Sequence, residues 1–157
     1  MPKIAVVILN WNGEHFLKKF LPGVIKDSLH EDVTIYVADN ASSDNSIVYL
    51  KDNHPEVQII INDDNYGFAE GYNKALSEIN TDYYILLNSD VEVTPNWIMP
   101  IIDFMEKDKE VAAVMPKILS HENREYFEYA GAGGAFIDKY GYPFCRGRIL
   151  SNIEKDN

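Results

Sequence analysis

Apolar and polar stretches alternate along this chain in a regular order. Residues 4–9 form an unbroken apolar run rich in Ile and Val, the pattern of a strand buried on both faces. Asn12-Gly13 punctuates it, and Phe16, Leu17, Phe20, Leu21, Val24 and Ile25 then recur at helical spacing. Pro22 is expected to kink or shorten that helix. Residues 33–38 read as a second strand, 57–61 as a third and 83–87 as a fourth. Ser42, Ser43 or Asp44 can cap a helix carrying Ile47, Val48 and Leu50. The polar loop 62–67 leads into a helix over 69–79 with Ala75, Leu76 and Ile79 on its apolar side. After Pro95 a helix rich in Ile and Met runs to about Lys107, and 111–115 reads as a further strand. Beyond Pro116 the pattern weakens to turns at 131–134 and 141–143 around a short β segment at 135–137.

Four repeats of strand, polar turn and helix imply an α/β fold: a mostly parallel central sheet covered by helices on both faces. The pattern divides the chain into an α/β region over 1–118 and a second region over 119–157 that ends in a polar, frayed tail. In open parallel sheets, ligands bind beyond the carboxyl ends of the strands. The residues expected there are 10–12, 39–43, 62–66 and 88–90, all rich in Asn and Asp. Turn chemistry alone favours these residue types, so any single loop reads equally well as a plain turn. Four such loops at one edge point to a polar crevice.

Composition narrows the choice of ligand. Fourteen basic against 25 acidic residues give a net charge of −11, which argues against a nucleic-acid partner. A nucleotide remains compatible, because a bound cation can screen a phosphate pair locally. Cys145 is the only cysteine, which excludes an internal disulfide and fits a reducing compartment. The apolar run at 4–9 is too short for a signal-peptide core or a membrane span. His15, His30, His54 and His121 show no metal-ligand spacing.

Three segments carry candidate chemistry. In Leu86-Leu87-Asn88-Ser89-Asp90 an apolar strand delivers a carboxylate to the sheet edge. Magnesium and manganese are commonly held by one or two carboxylates together with substrate phosphates. Asp90 is such a carboxylate, or simply the residue that ends a strand. Asp39, in Val37-Ala38-Asp39-Asn40-Ala41, can accept a hydrogen bond from the N3–H of uracil or thymine, a proton that cytosine lacks, or can merely open a turn. Trp11 can stack on a flat base or pack in the core. Gly71, inside a helix, suggests close approach of a strand or ligand. Neither a Gly-x-Gly-x-x-Gly turn nor a Gly-x-x-x-x-Gly-Lys-Ser/Thr loop is present, so a nicotinamide Rossmann domain and a P-loop are unsupported.

Taken together these segments resemble the family 2 glycosyltransferases of the Rossmann-like GT-A fold, in particular their rhamnosyltransferase-like branch. The likeness rests on Val6 to Gly13, Val37 to Asp44, Asn65 to Asn73 and Leu86 to Val93, in the family's order and spacing. It implies transfer of a sugar from a UDP- or dTDP-sugar to a glycan or lipid-linked glycan in cell-surface polysaccharide synthesis. The location implied is cytoplasmic, with the full enzyme able to associate peripherally with the inner face of a membrane. By the same resemblance, Leu9, Asn10, Trp11, Asp39, Asn40, Asn65, Gly67, Asn73, Asn88 and Ser89 line the nucleotide site, and Asp90 binds Mg2+ or Mn2+. The family's Asp-x-Asp appears here as Asn88-Ser89-Asp90, which lowers the charge available to the metal. By the same resemblance 119–157 is the start of the acceptor-side region, left incomplete; no segment after Asp90 matches the family's general base, so no catalytic residue is assigned and the base is expected beyond the chain end. Two further readings stand beside this one: a nucleotide-binding module without turnover, and a sugar nucleotidyltransferase. The latter lacks support because Asn10-Trp11-Asn12-Gly13 is not a glycine-rich, basic loop.

Overall fold

A computed structural model describes residues 2–128, 134–145, 147–149 and 152–155. The chain falls into two compact units, 1–98 and 99–157. The sequence pattern had grouped 99–118 with the first of them.

In the first unit, strands β1 (Ile4–Asn10), β2 (Val33–Asp39), β3 (Gln58–Ile61) and β4 (Tyr83–Asn88) form one sheet in the order β3-β2-β1-β4. All three pairings are parallel. β1 lies in the interior of the sheet, which explains its unbroken apolar sequence: Ile4, Ala5, Val6, Val7 and Ile8 are all buried. Helix α1 (Glu14–Asp27) buries Leu17, Phe20, Leu21 and Val24 on one stripe, and α2 (Ser46–Asn53) buries Leu50. Helix α3 (Gly67–Ser77) buries Gly71, Tyr72 and Ala75. Tyr72 and Ala75 join Ile79 in packing on Ala5, Val7, Ala38 and Ile60. Because strand side chains alternate between faces, Ile4, Val6, Ile8 and Val37 point to the opposite side, which α1 and α2 cover.

Three expectations need correction. Pro22 does not shorten α1, which runs for 14 residues through it. Pro22 and Lys18 both face outward, so water can satisfy the Lys18 carbonyl that proline leaves without a donor, while the buried stripe holds the helix. The N-cap of α2 is Asn45, with no side-chain cap bond; Asp44 instead accepts from the Ser46 N–H at 3.0 Å. The expected helices do cover both faces; α3 lies over β1 and β2, and Tyr84 and Leu86 on the same side of edge strand β4 are exposed. Residues 111–115 are not a strand; Ala112 to Met115 are exposed, and β-branched composition cannot make a strand without a ladder partner.

The second unit holds helix α4 (Met99–Lys107) and a small antiparallel sheet. Its strands are β5 (Ala135–Ile137), β6 (Pro143–Cys145), β7 (Arg148–Ile149) and β8 (Asn152–Ile153), in the order β5-β6-β7-β8. The β5–β6 hairpin stacks Phe136 on Phe144 across the strands, with ring centroids 5.5 Å apart. The expected turn at 131–134 lies outside the described residues except for Gly134. Where the sequence reads as a frayed tail, Glu154 N–H donates to Gly147 O at 2.7 Å, and Lys155 pairs with Glu125 at 2.9 Å. Ser151, Asp156 and Asn157 lie outside the described residues. Among the described residues, no helix is long and apolar enough to cross a membrane.

One buried hydroxyl ties α3 to the sheet. Tyr72 donates to Leu87 O at 3.1 Å and accepts from Leu9 N–H at 3.4 Å. Burial pushes its pKa up, against a smaller downward pull from the Leu9 bond. Tyr72→Phe should therefore cost about 1 kcal/mol of unfolding free energy, readable as a lower urea midpoint with an unchanged slope.

Candidate functional site: the carboxyl edge of the sheet

Because the four strands are parallel, all their carboxyl ends lie at one edge. Asn10 stands beside Asp39 in register, Leu9 beside Asn88, and Asp39 beside Ile61. Asp39 and Asn88 end strands on either side of β1, so they are about 10 Å apart by strand spacing.

The buried part of this edge is polar. Asn10, Asp39 and Asn40 are each at most 1% exposed. Asp39 Oδ1 accepts from Asn10 Nδ2 at 2.9 Å, and its Oδ2 accepts from the Ser42 N–H at 2.8 Å. Ser42 Oγ takes further bonds from Asn10 Nδ2 at 3.2 Å and the Asn12 N–H at 2.8 Å. Asn12 Oδ1 accepts from Ser43 N–H, Ser43 Oγ and Asp44 N–H at 2.8, 3.2 and 3.3 Å. The loop after β1 is thus stitched to the loop after β2. Asn12 and Ala41, one in each loop, take left-handed φ values of 50° and 57°. Such strain in non-glycine residues persists only where surrounding bonds over-determine it.

Two glycines sit where neighbours approach closely. A β-carbon at Gly13 would collide with Asn10 Oδ1, a buried oxygen with no hydrogen-bond partner among the described residues. At Gly71 it would lie 3.1 Å from both amide atoms of Asn40 and 3.2 Å from Leu9 Cδ1. The close approach that the sequence suggested for Gly71 is therefore to strand β1 and a buried amide. Asn65 Oδ1 accepts from Asn40 Nδ2 at 2.7 Å and from the Gly67 N–H at 3.0 Å. Gly67 opens α3 with φ +69°.

The other candidates stand outward. Trp11 is 58% exposed, which removes its core reading. Asn73, Asn88 and Asp90 are exposed, and Ser89 and Leu9 are half-buried. Ser89 Oγ approaches Gly13, 3.8 Å from where a β-carbon would stand. The same edge carries a surface cluster in which Tyr66 donates to Asp63 at 2.7 Å and Lys74 Nζ sits 4.0 Å from the Tyr66 ring centroid. The Tyr66 bond holds Asp63 below its usual value, while the Asp63 bond pushes Tyr66 up. The sequence reading placed Asn62, Asn12 and Ser42 at this edge without their locking roles: Asn62 is buried and donates to Asn40 Oδ1, and Asn12 and Ser42 join the loops after β1 and β2. Their only sequence signal was a polar residue at a strand end.

As a cation site, the edge offers oxygen donors only. Asp90 would contribute a carboxylate and Asn88 a neutral amide oxygen. No group of three or more His, Cys, Asp or Glu that could hold a metal exists among the described residues. This set fits a hard cation that takes its remaining ligands from a phosphorylated substrate, and it does not fit a self-contained protein cage.

The sequence profile described as Glycosyl transferase family 2 matches residues 5–150, so the chain belongs to that family. It is 24% identical over 116 residues to an uncharacterized glycosyltransferase of Haemophilus influenzae, covering 72% of this chain and 36% of that protein. It is 28% identical over 97 residues to a teichoic acid poly(glycerol phosphate) polymerase of Staphylococcus epidermidis, covering 59% of this chain and 13% of that one. The fold is that of the GT-A glycosyltransferases. S. aureus TarS 1–349 superposes with a TM-score of 0.67 at 16% identity, covering 78% of this chain and 37% of that chain. The same protein in complex with UDP-GlcNAc superposes at 0.59 and 16% identity, covering 68% and 32%. A mannosyltransferase of Pyrobaculum calidifontis in complex with GDP-Man and Mn2+ gives 0.51 at 18% identity, covering 58% and 28%. The chain thus spans about a third of the length of the Haemophilus relative and of TarS 1–349.

Asp44 links the loop network to pH. Burial works against its charge, but hydrogen bonding from Ser46 and from the Glu14 N–H outweighs it and holds the carboxyl below its ordinary 3.8. A depressed folded pKa means stability that is fully present above the ordinary value and lost as pH falls through the folded one. Urea midpoints measured from about pH 5 down to about pH 2 should show the gap between wild type and Asp44→Asn shrinking at the acid end.

Proposed function

We propose that this chain is the donor-binding part of a glycosyltransferase that uses a UDP- or dTDP-sugar and serves cell-surface polysaccharide synthesis at the cytoplasmic face of a membrane. The acceptor is a hydroxyl of a glycan or lipid-linked glycan. In the reaction, that oxygen bonds to the anomeric carbon as the bond from carbon to the diphosphate oxygen breaks, and the nucleoside diphosphate departs. The reading assigns no general base within these 157 residues.

The observation that carries this reading is the contrast between the carboxylates at the edge. Asp39 is buried and oriented by two hydrogen bonds. Asp90 is exposed and accepts no hydrogen bond from the described residues. A carboxylate has about four acceptor positions, so Asp39 retains capacity for the N3–H of a pyrimidine. The exposed Trp11 indole supplies a face for the base, Asn65 and Gly67 lie at the opening of α3 where the rest of the nucleotide would run, and Asn73 is exposed further along that helix. Asp90, with Asn88 and Ser89 beside it, would hold Mg2+ or Mn2+, which supplies charge neutralisation for the departing diphosphate. The complexes of TarS with UDP-GlcNAc and of the mannosyltransferase with GDP-Man and Mn2+ support this reading by likeness of fold.

Calorimetry with UDP, dTDP, GDP and ADP, each with and without manganese, tests the assignment. UDP and dTDP should bind at least tenfold tighter than the purine nucleotides, and manganese should strengthen them. Asp90→Ala should remove the manganese enhancement with an unchanged melting temperature. Equal binding of all four nucleotides would exclude the role given to Asp39.

A further inference from the structure

Asn40 follows β2 directly, and its backbone N–H continues the β1–β2 ladder to Asn10 O at 2.8 Å. Its side chain reaches the other way, into the loop after β3. Nδ2 donates to Asn65 Oδ1 at 2.7 Å and to Gly67 O at 3.0 Å. Oδ1 accepts from Asn62 Nδ2 at 2.9 Å and from the Tyr66 N–H at 3.4 Å. A primary amide has two donor hydrogens and two acceptor lone pairs. All four are used here, in a side chain that is 1% exposed. Asn40 therefore has no bonding capacity left for a ligand.

We infer that Asn40 is a positioning residue: its saturated amide fixes the 62–67 loop and the start of α3 against Asp39, and it acts on the nucleotide only through them. The inference deepens the nucleotide reading of this edge, and its binding arm rests on that reading. Helix α3 touches the amide directly, since a β-carbon at Gly71 would lie 3.1 Å from both of its polar atoms. The arrangement can thus be disturbed from either side. Asn40→Asp keeps the shape but sets carboxylate oxygen against Asn65 Oδ1 and Gly67 O, acceptor facing acceptor. Gly71→Ala leaves the amide intact and pushes on it, although alanine by itself favours the helix.

The test uses the full chain, with UDP and manganese as the probe. Both variants are first shown to be folded by circular dichroism at the binding temperature. UDP affinity should fall on the order of tenfold in each. The ratio of UDP to GDP affinity, set at Asp39, should stay at the wild-type value. Amide hydrogen exchange at Tyr66 and Gly67 should quicken in Asn40→Asp. Wild-type UDP affinity in either folded variant overturns the inference, as does wild-type exchange in Asn40→Asp. If Asn40→Asp does not fold, Gly71→Ala decides by affinity. If the wild-type chain binds no UDP, the nucleotide reading fails, and the exchange rates alone decide whether Asn40 holds the loop.

Discussion

The carboxyl edge depends on hydrogen bonds to most of its buried polar atoms, with Asn10 Oδ1 the exception among Asn10, Asp39 and Asn40. Three polar side chains, Asn10, Asp39 and Asn40, lie inside the carboxyl edge of a sheet whose interior is otherwise aliphatic. An unbonded buried polar group costs about 1–3 kcal/mol, roughly what burying one large aliphatic side chain contributes. Each missing bond at this edge would therefore cancel about one core residue. The loops after β1, β2 and β3 take the shapes that supply those bonds, including left-handed backbone at Asn12 and Ala41. Loop geometry follows from the bonding requirement, and the site follows from loop geometry.

This division of labour separates two kinds of residue that look alike in sequence. Asn40 and Asn65 are joined by one hydrogen bond, yet Asn40 is sealed and saturated while Asn65 is exposed at the opening of α3. Asp39 and Asp90 both follow apolar strands, yet one is held by two internal bonds and the other faces solvent. A site built this way presents few groups to a ligand and spends most of its polar residues on fixing those few.

Much of the fold was legible because its rules are local. The interior position of β1 was readable from its unbroken apolar run, and α1 and α3 from apolar residues recurring at helical spacing. The misreadings have identifiable causes. Pro22 was read by its usual effect on a helix, but its outward position, where water replaces the lost donor, depends on packing. Residues 111–115 have strand composition, and composition cannot say whether a ladder partner is at hand. The exposed face of β4 was invisible because alternation along a strand does not show how far a neighbouring helix reaches.

The sequence by itself determined the class of fold, the order of strand, turn and helix, and the concentration of Asn and Asp at the strand ends of one edge. These follow from periodicity and turn chemistry, which act over a few residues. Only the tertiary structure decided which of those polar residues are sealed and which are open. That depends on partners 22 to 32 positions apart, such as Asn62 with Asn40 and Asn12 with Asp44, and no local pattern encodes a hydrogen bond across such a distance.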